Sequence, residues 1–388
     1  MAALLFLFLD PAGGQFTIGF VIYRQLHLPL FVLLVALQQP ASGSAADRLI
    51  LRNLDFILDR TVIAIDDDGI RLDGPRPTGG DRIGWDEIER GKVALDQPKF
   101  DQLLADLGPP LYRLRQRLKT ADYRSLAEPA EQLYPRFAEQ KSPTAYMVCQ
   151  ATAWSRMAAG QREAAVEPYL RAYDILRSGA AKVTNLPGPR RSQLDANTAL
   201  LPELPLVWFD AAAAQAALPG VQQAIRSMAQ PRPEGVYLYY ASLAIAAGDL
   251  PAADKVLPSV KGTEQLAAGW REIVLAQREI AASGAGSQVG NLQSQLATLP
   301  ADCRPAALLL VGQTLAASAN PEVAQDGILL LLTLPAEYGR RDGDLAAAGL
   351  YHAAAALDKL NEDRASAAVR RELRTQYAST YFGGLDKP

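Results

Sequence analysis

Few side chains in this sequence could carry out covalent or metal chemistry. There are two histidines, His27 and His352, and two cysteines, Cys149 and Cys303. The sequence has no GxSxG, Walker A, HExxH or CxxC motif, so the common signatures of acyl transfer, nucleotide binding, zinc hydrolysis and dithiol redox chemistry are missing. A nucleophile–histidine pair would depend on His352, which lies in an alanine-rich stretch where a packed histidine is the commoner role.

Carboxylates give no clearer signal for catalysis. Acidic pairs such as Glu87 and Glu89 stand in ordinary charged sequence, and their spacing does not fix their separation in space. A hydrolase that uses carboxylates alone stays open. We therefore predict that the chain is not an enzyme and has no catalytic residue, no cofactor site and no metal site.

The cysteines leave two alternatives. Two are too few for a disulfide-rich scaffold or a cysteine-cluster zinc site. Cys149 and Cys303 are 154 positions apart. They could form one long-range disulfide in an oxidising compartment, or remain two buried free thiols, which is the commoner fate.

Composition and charge indicate a folded protein that does not bind nucleic acid. Of 388 residues, 49% are hydrophobic and 21% are charged, and the net charge is −3. Residues 112–119 are rich in arginine. The apolar residues Leu111, Leu114 and Leu118, within and next to this stretch, share one face of the predicted helix. With an acidic isoelectric point near 5.6, we interpret its basic side chains as a solvated helix face rather than a nucleic-acid patch.

The N-terminal residues 1–46 have the layout of an export segment. Arg24 precedes an apolar run, Leu28 to Leu37, which is followed by QQPASGSAAD with small residues suited to cleavage near Ala45 and Ala46. This layout predicts a periplasmic or secreted protein, with translation starting near Val21 at an overlooked start codon. The alternative is an uncleaved membrane anchor, although the apolar run is short for a spanning helix.

Residues 47–96 predict a small β module. Short runs rich in β-branched residues alternate with turn signals, and Asp66-Asp67-Asp68-Gly69 is typical of a hairpin connection with a solvated tip. The stretch Arg82 to Ile88, with Trp85 at its centre, resembles the approach to the last strand of SH3-like or Sm-like barrels. This resemblance implies a small barrel in which Trp85 belongs to the core.

Residues 97–382 predict helices that repeat as pairs. The stretches 149–176 and 237–260 each contain an apolar helix, Ala-Ala-Gly, a polar turn and a second helix. Small residues stand seven positions before each glycine and five positions after it. The corresponding residues are Ala153, Gly160, Ala165, Tyr169 and Ala172 in the first copy, and Ala241, Gly248, Ala253, Leu257 and Val260 in the second.

This pattern resembles the tetratricopeptide (TPR) repeat. Weaker copies occur at 111–133, where Ala121-Asp122-Tyr123 replaces the usual Gly-Asp-Tyr, and at 307–332 and 350–377. The strict 34-residue spacing of the family is absent. The sequence therefore predicts a mainly α fold: a TPR-like helical-hairpin solenoid behind the small barrel, with a tail at 383–388. A proline-rich, non-periodic insertion spans 180–208, and long segments of this kind are usually functional or disordered.

The resemblance implies a function in protein binding. TPR arrays bind partner segments on the concave face formed by the first helix of each pair. In the best copy this face would carry Met147, Gln150, Trp154 and Met157, whose alternative role is core packing. We expect an exported interaction or scaffold protein of the bacterial cell envelope, with a protein or peptide partner. An enzyme that uses a cleft beside the 180–208 insertion and a purely structural envelope protein are the alternatives.

Overall fold

The computed structural model describes residues 47–53, 56–57, 60–75, 80–188, 195–284 and 287–386. The predicted export segment, 1–46, lies outside these ranges, so cleavage and anchoring remain predictions. The described chain is mainly helical and has a small antiparallel sheet region near its N-terminal end. None of the described helices is both long enough and apolar enough to cross a membrane.

The sheet region consists of two small antiparallel sheets. The first has the strand order β2-β1-β6 and the second β3-β4-β5. Their strands are β1 (Arg48–Leu51), β2 (Phe56–Ile57), β3 (Val62–Asp66), β4 (Gly69–Leu72), β5 (Arg82–Ile83) and β6 (Ile88–Lys92). The buried carboxylate of Asp47, at the start of the module, holds its middle and its end, since it accepts from Val62 N at 2.6 Å and from Ala94 N at 2.6 Å.

The predicted hairpin and core tryptophan are confirmed, but the hairpin tip is not simply solvated. Asp66 pairs with Gly69, whose φ of +129° favours glycine. Trp85 is fully buried, and its indole N–H donates to Asp66 O at 2.9 Å. At the tip, Asp67 accepts from Arg136 Nη2 at 2.5 Å, and Asp68 accepts from the Ser142 hydroxyl. The tip therefore docks on the helices that follow.

Fourteen α-helices occur in the described residues. They are α1 (Gln97–Lys119), α2 (Ala127–Phe137), α3 (Pro143–Ala158), α4 (Arg162–Arg177), α5 (Ala211–Ser227), α6 (Glu234–Ala246), α7 (Leu250–Val256), α8 (Gln265–Ser283), α9 (Ser287–Gln295), α10 (Arg304–Ala316), α11 (Pro321–Thr333), α12 (Gly343–Lys359), α13 (Asp363–Gln376) and α14 (Tyr381–Leu385). Short 3-10 turns lie at Arg124–Leu126, Val183–Asn185 and Leu257–Ser259, and a π-helical turn at Leu334–Tyr338.

Consecutive helices pack on one another as hairpins. Contacts join α3 with α4, α6 with α7, α8 with α9, α10 with α11 and α12 with α13. The first helices of neighbouring pairs also touch, since α6 contacts α8, α8 contacts α10, and α10 contacts α12. Residues 383–385, predicted as tail, belong to α14, which packs on α12.

Four helices end in the same left-handed turn. Gly160 follows α3 with φ +75°, and Gly248 follows α6 with φ +80°, as the glycine spacing predicts. Ala121 after α1 and Asn361 after α12 adopt φ 58° and φ 60° at the equivalent positions. In each turn the next backbone N–H returns to a carbonyl five residues earlier, as from Gln161 to Arg156. The helix ends are therefore satisfied in the same way in all four places.

The small residues of the repeat pattern lie inside, as the pattern requires. Ala153, Ala165, Ala241 and Ala253 are each at most 1% exposed. Larger side chains at these positions would separate the two helices of a pair, because protein interiors are close-packed.

Replacement of Gly248 by alanine should destabilise the protein by about 1 kcal/mol, because an L-residue is strained at positive φ. A Cβ at Gly248 would meet nothing within 4 Å, so backbone strain alone is tested. The matched control is Gly290→Ala inside α9, where a Cβ also meets nothing and φ is not positive. The control should stabilise by about 0.5–1 kcal/mol. Urea unfolding measures both, and equal shifts would contradict the assignment of the turn.

Candidate functional site

The residues predicted to bind a partner lie mostly in the interior of the protein. On α3, Met147 is 1% exposed, Gln150 2% and Trp154 2%, while Met157 is half-buried. The Trp154 ring lies 6.2 Å from the ring of Tyr123. Their alternative role, core packing, accounts for this placement. Partner binding by these four residues stays a prediction and would require the covering chain to move.

The described parts of the insertion, 180–188 and 195–208, are built into the core through their backbone. Four of their carbonyl oxygens accept hydrogen bonds from tyrosine and glutamine side chains of α4, α6 and α8. The bonds run from Tyr169 to Ala199 (2.6 Å), Tyr173 to Ala196 (2.9 Å), Tyr239 to Leu204 (3.0 Å) and Gln277 to Leu206 (2.8 Å). Buried backbone polar groups need such partners. The described part of the insertion therefore has a structural role.

A buried arginine joins parts of the chain that are distant in sequence. Arg162, at the start of α4, is 4% exposed. Its Nη1 lies 3.1 Å from Asp344 Oδ2 and 3.7 Å from Asp342 Oδ1, and its Nη2 donates to Pro205 O at 3.2 Å. Burial raises the pKa of the Asp342 carboxyl, and the nearby guanidinium of Arg162 opposes that shift.

The neighbouring carboxylate, Glu163, fixes the end of the insertion. It is 3% exposed, and its Oε1 accepts from Phe209 N at 2.9 Å and from Asp210 N at 3.3 Å. Asp210 in turn caps α5 by accepting from Ala212 N and Ala213 N. One acidic side chain of α4 therefore sets the position at which α5 begins.

An aromatic cluster covers the buried arginine. Phe209 lies 4.9 Å from Phe382 and 6.2 Å from Tyr381, measured between ring centroids. Phe382 also contacts Tyr351 at 4.9 Å and His352 at 5.4 Å. Burial in this cluster lowers the pKa of His352 to about 4. A neutral, packed imidazole with aromatic neighbours fits a structural role for His352.

An apolar pocket lies between the insertion and the first helices of three pairs. We define the Trp208 pocket by the segment Val207–Phe209 together with side chains of α6, α8 and α10, and its volume is about 160 Å³. Apolar walls come from Trp208, Ile245 and Leu309. Ser242, Gln277 and Gln313 supply its polar atoms, and Ser242 Oγ accepts from Trp208 Nε1 at 2.8 Å. No lining residue is titratable.

Both cysteines are buried. Cys149 and Cys303 are free thiols. Burial raises the pKa of Cys149 to about 12 and also raises that of Cys303, which keeps both protonated. In the ranges that the structure covers, no group of three or more His, Cys, Asp or Glu side chains is placed to hold a metal ion.

The residues that organise this region give a weak signal in the sequence. Charged residues are common at helix starts, so Arg162 does not stand out in the sequence. Its partners Asp342 and Asp344 follow about 180 positions later. Trp208 and Phe209 precede the helix cap Asp210, and an aromatic pair before an N-cap is a usable but local sign of packing.

Comparison with protein-family models, with curated proteins and with solved structures found no match.

Removal of the buried guanidinium should be strongly destabilising. Arg162→Ala leaves Asp342, Asp344 and Glu163 without their cation, and loss of one partner of a buried pair costs about 3–5 kcal/mol. The control is Arg278→Ala, which removes an exposed pair with Asp254 and should leave stability nearly unchanged. Urea denaturation compares the two variants. Equal unfolding midpoints would show that the buried cluster does not support the fold.

His352 should make stability depend on pH. Its folded-state pKa of about 4 lies below the ordinary value of 6.5, so the unfolded chain binds the proton first as the pH falls. Stability is therefore retained above pH 6.5 and lost between pH 6.5 and 4, by about 1–3 kcal/mol. His352→Gln should flatten this slope. Unfolding free energies of both proteins at pH 7 and pH 5 test it, and parallel pH profiles would contradict it.

Proposed function

We propose that the chain is an exported interaction protein of the cell envelope, and that it binds a partner segment through an apolar side chain seated in the Trp208 pocket. In this proposal the helices form a TPR-like solenoid and the sheet region forms a small SH3-like barrel. Recurrent left-handed turns after Gly160 and Gly248, with buried alanines between paired helices, support the solenoid. Pairing of the first strand with the last, together with the burial of Trp85, supports the barrel.

The position of the Trp208 pocket is the observation that carries the functional proposal. Its helical walls come from α6, α8 and α10, which are the first helices of three successive pairs. In TPR-like arrays the first helices form the surface that holds partner segments. The pocket thus lies where such a protein would recognise its partner, although its residues differ from the four predicted on α3.

The chemistry of the pocket favours one kind of occupant. A volume of about 160 Å³ fits one large side chain, and the walls are apolar around Trp208 and Leu309. Gln277 and Gln313 are half-buried amides that can bond the backbone of a segment lying across the opening. We therefore assign the pocket to a leucine, methionine or phenylalanine of an extended partner segment.

The enzyme alternative receives less support. It calls for converging polar groups with perturbed pKa values in one cleft. The Trp208 pocket, which borders the insertion, has no titratable lining residue. The raised pKa values of Tyr169 and Tyr239 follow mainly from burial, and both hydroxyls donate to carbonyls of the insertion. Export rests on the N-terminal sequence pattern alone.

Filling the pocket should abolish binding of small apolar probes. Ala246 lines the pocket and is half-buried, so Ala246→Phe would occupy its volume. The probes are acetyl-phenylalanine amide and acetyl-leucine amide, with acetyl-aspartate amide as the negative probe. In wild-type protein we expect the apolar amides to shift the indole N–H resonance of Trp208, assigned by Trp208→Phe, with dissociation constants of about 1 mM or weaker for such small ligands.

Two comparisons make this experiment decisive. Ala282→Phe adds the same side chain at an exposed position of α8 and should bind the probes like wild type. A partner captured from the cell envelope by wild type and Ala282→Phe, but lost with Ala246→Phe, would extend the result to a protein. Equal resonance shifts in Ala246→Phe and Ala282→Phe would contradict the assignment.

A further inference from the structure

A second recess in the protein differs in character from the Trp208 pocket. The α4–α5 groove is lined by α2, the end of α3, α4, α5 and Tyr381 of α14, and its volume is about 860 Å³. It shares no lining residue with the Trp208 pocket. Its floor consists of small residues, among them Ala164, Ala213 and Ala217. A recess of this size can hold several side chains of a ligand.

The walls of the α4–α5 groove carry more negative than positive charge. The lining carboxylates are those of Glu131, Glu163, Glu167 and Asp210, and Arg156 is the one lining cation. Two of the carboxylates are neutralised by arginines. Arg156 Nε donates to Glu131 at 2.7 Å, and Arg171 Nε, from outside the lining, donates to Glu167 at 2.7 Å.

Among the described residues, no arginine donates a hydrogen bond to the other two carboxylates. Glu163 and Asp210 accept from uncharged backbone N–H groups, which bind a carboxylate without neutralising it. Arg162 lies close to Glu163, but its guanidinium also pairs with Asp344 and lies near Asp342. Arg162 is therefore shared between Glu163 and two other carboxylates.

Glu163 has one carboxylate oxygen that can accept a hydrogen bond from a ligand in the groove. It is 3% exposed, yet it lines the groove. Its Oε1 holds two backbone N–H groups, whereas the described residues donate no hydrogen bond to Oε2. Oε2 is not one of the fully buried atoms of the described chain that lack a partner, so this oxygen is open to a donor that enters the groove.

Tyr381, at the start of α14, also lines the groove. Burial raises the pKa of its phenol, and the charges of Asp210 and Glu163 raise it further. The phenol, Glu163 and Asp210 thus face one region of the groove. A cation placed there would meet two carboxylates and an aromatic ring.

We propose that the α4–α5 groove binds a basic segment of a protein partner, with a lysine or arginine side chain reaching Glu163 and Asp210. The aliphatic stem of such a side chain would lie on the alanine floor, as long cationic side chains commonly do on apolar surface. A metal ion is a poorer fit, because the described carboxylates do not converge as a ligand set. This proposal does not depend on the Trp208 pocket.

The test measures binding of a fluorescein-labelled peptide of alternating arginine and alanine to the intact chain by fluorescence anisotropy. A peptide of alternating glutamate and alanine is the negative probe, and unlabelled spermidine is the competing small polycation. We expect the basic peptide to bind at low salt and to weaken as salt rises. Asp210→Asn and Glu163→Gln should each reduce its affinity about three- to tenfold.

The substitutions are chosen to spare the fold. Asparagine caps a helix as well as aspartate does, so Asp210→Asn removes charge and keeps the cap of α5. The matched control is Asp249→Asn, which removes the same charge from the cap of α7, outside the groove lining. The control should bind like wild type, and the matched pair Asp210→Asn and Asp249→Asn should keep the wild-type thermal midpoint.

Three outcomes would overturn the proposal. Equal affinity of Asp210→Asn and Asp249→Asn would show that the groove carboxylate does not contact the peptide. Equal binding of the acidic peptide would show that charge does not select the ligand. Complete displacement of the basic peptide by spermidine at an equal concentration of positive charge would assign the groove to small polycations instead of a protein segment.

Discussion

The buried guanidinium of Arg162 is the constraint on which the rest of this structure depends. A charge in the interior is tolerated only if it is paired and hydrogen-bonded. Here the partners are Asp342 and Asp344 at the start of α12 and the carbonyl of Pro205 in the insertion. The start of α4, the end of the insertion and the start of α12 must therefore meet at one point. Short-range helical hairpins alone would not bring them together.

The local structure could be predicted from the sequence because its causes are local. Gly160 and Gly248 indicate the left-handed turns that end α3 and α6. The β-branched runs on either side of the Asp66–Gly69 turn indicate a hairpin. Ala121 shows the limit of this reasoning. It adopts φ 58° although alanine disfavours that region. Only its place in the repeat, and not its residue type, indicates the turn.

The site could not be predicted in the same way. The apolar face of α3 that carries Met147 and Trp154 has the same periodicity whether a partner or the protein's own chain covers it. The covering chain includes segments that have no hydrophobic periodicity. The hydrogen bonds that fix the insertion run from Tyr169 and Tyr239 to backbone carbonyls. Carbonyl oxygens are identical at every residue, so no sequence pattern marks which ones will be used. The pairing of Arg162 with Asp344 likewise spans 182 positions without a signal between them.

The Trp208 pocket and the α4–α5 groove both depend on Glu163. Glu163 lines the α4–α5 groove, and the same carboxylate holds the backbone N–H groups of Phe209 and Asp210. Phe209 and its neighbour Trp208 form a wall of the apolar pocket. The position of that wall therefore depends on a carboxylate that faces the groove. A neutral side chain at position 163 would keep an acceptor for these N–H groups, whereas an apolar one would leave them unpaired and release the segment. The charge of Glu163 thus acts in the α4–α5 groove, whereas its hydrogen bonds hold the segment that forms a wall of the Trp208 pocket.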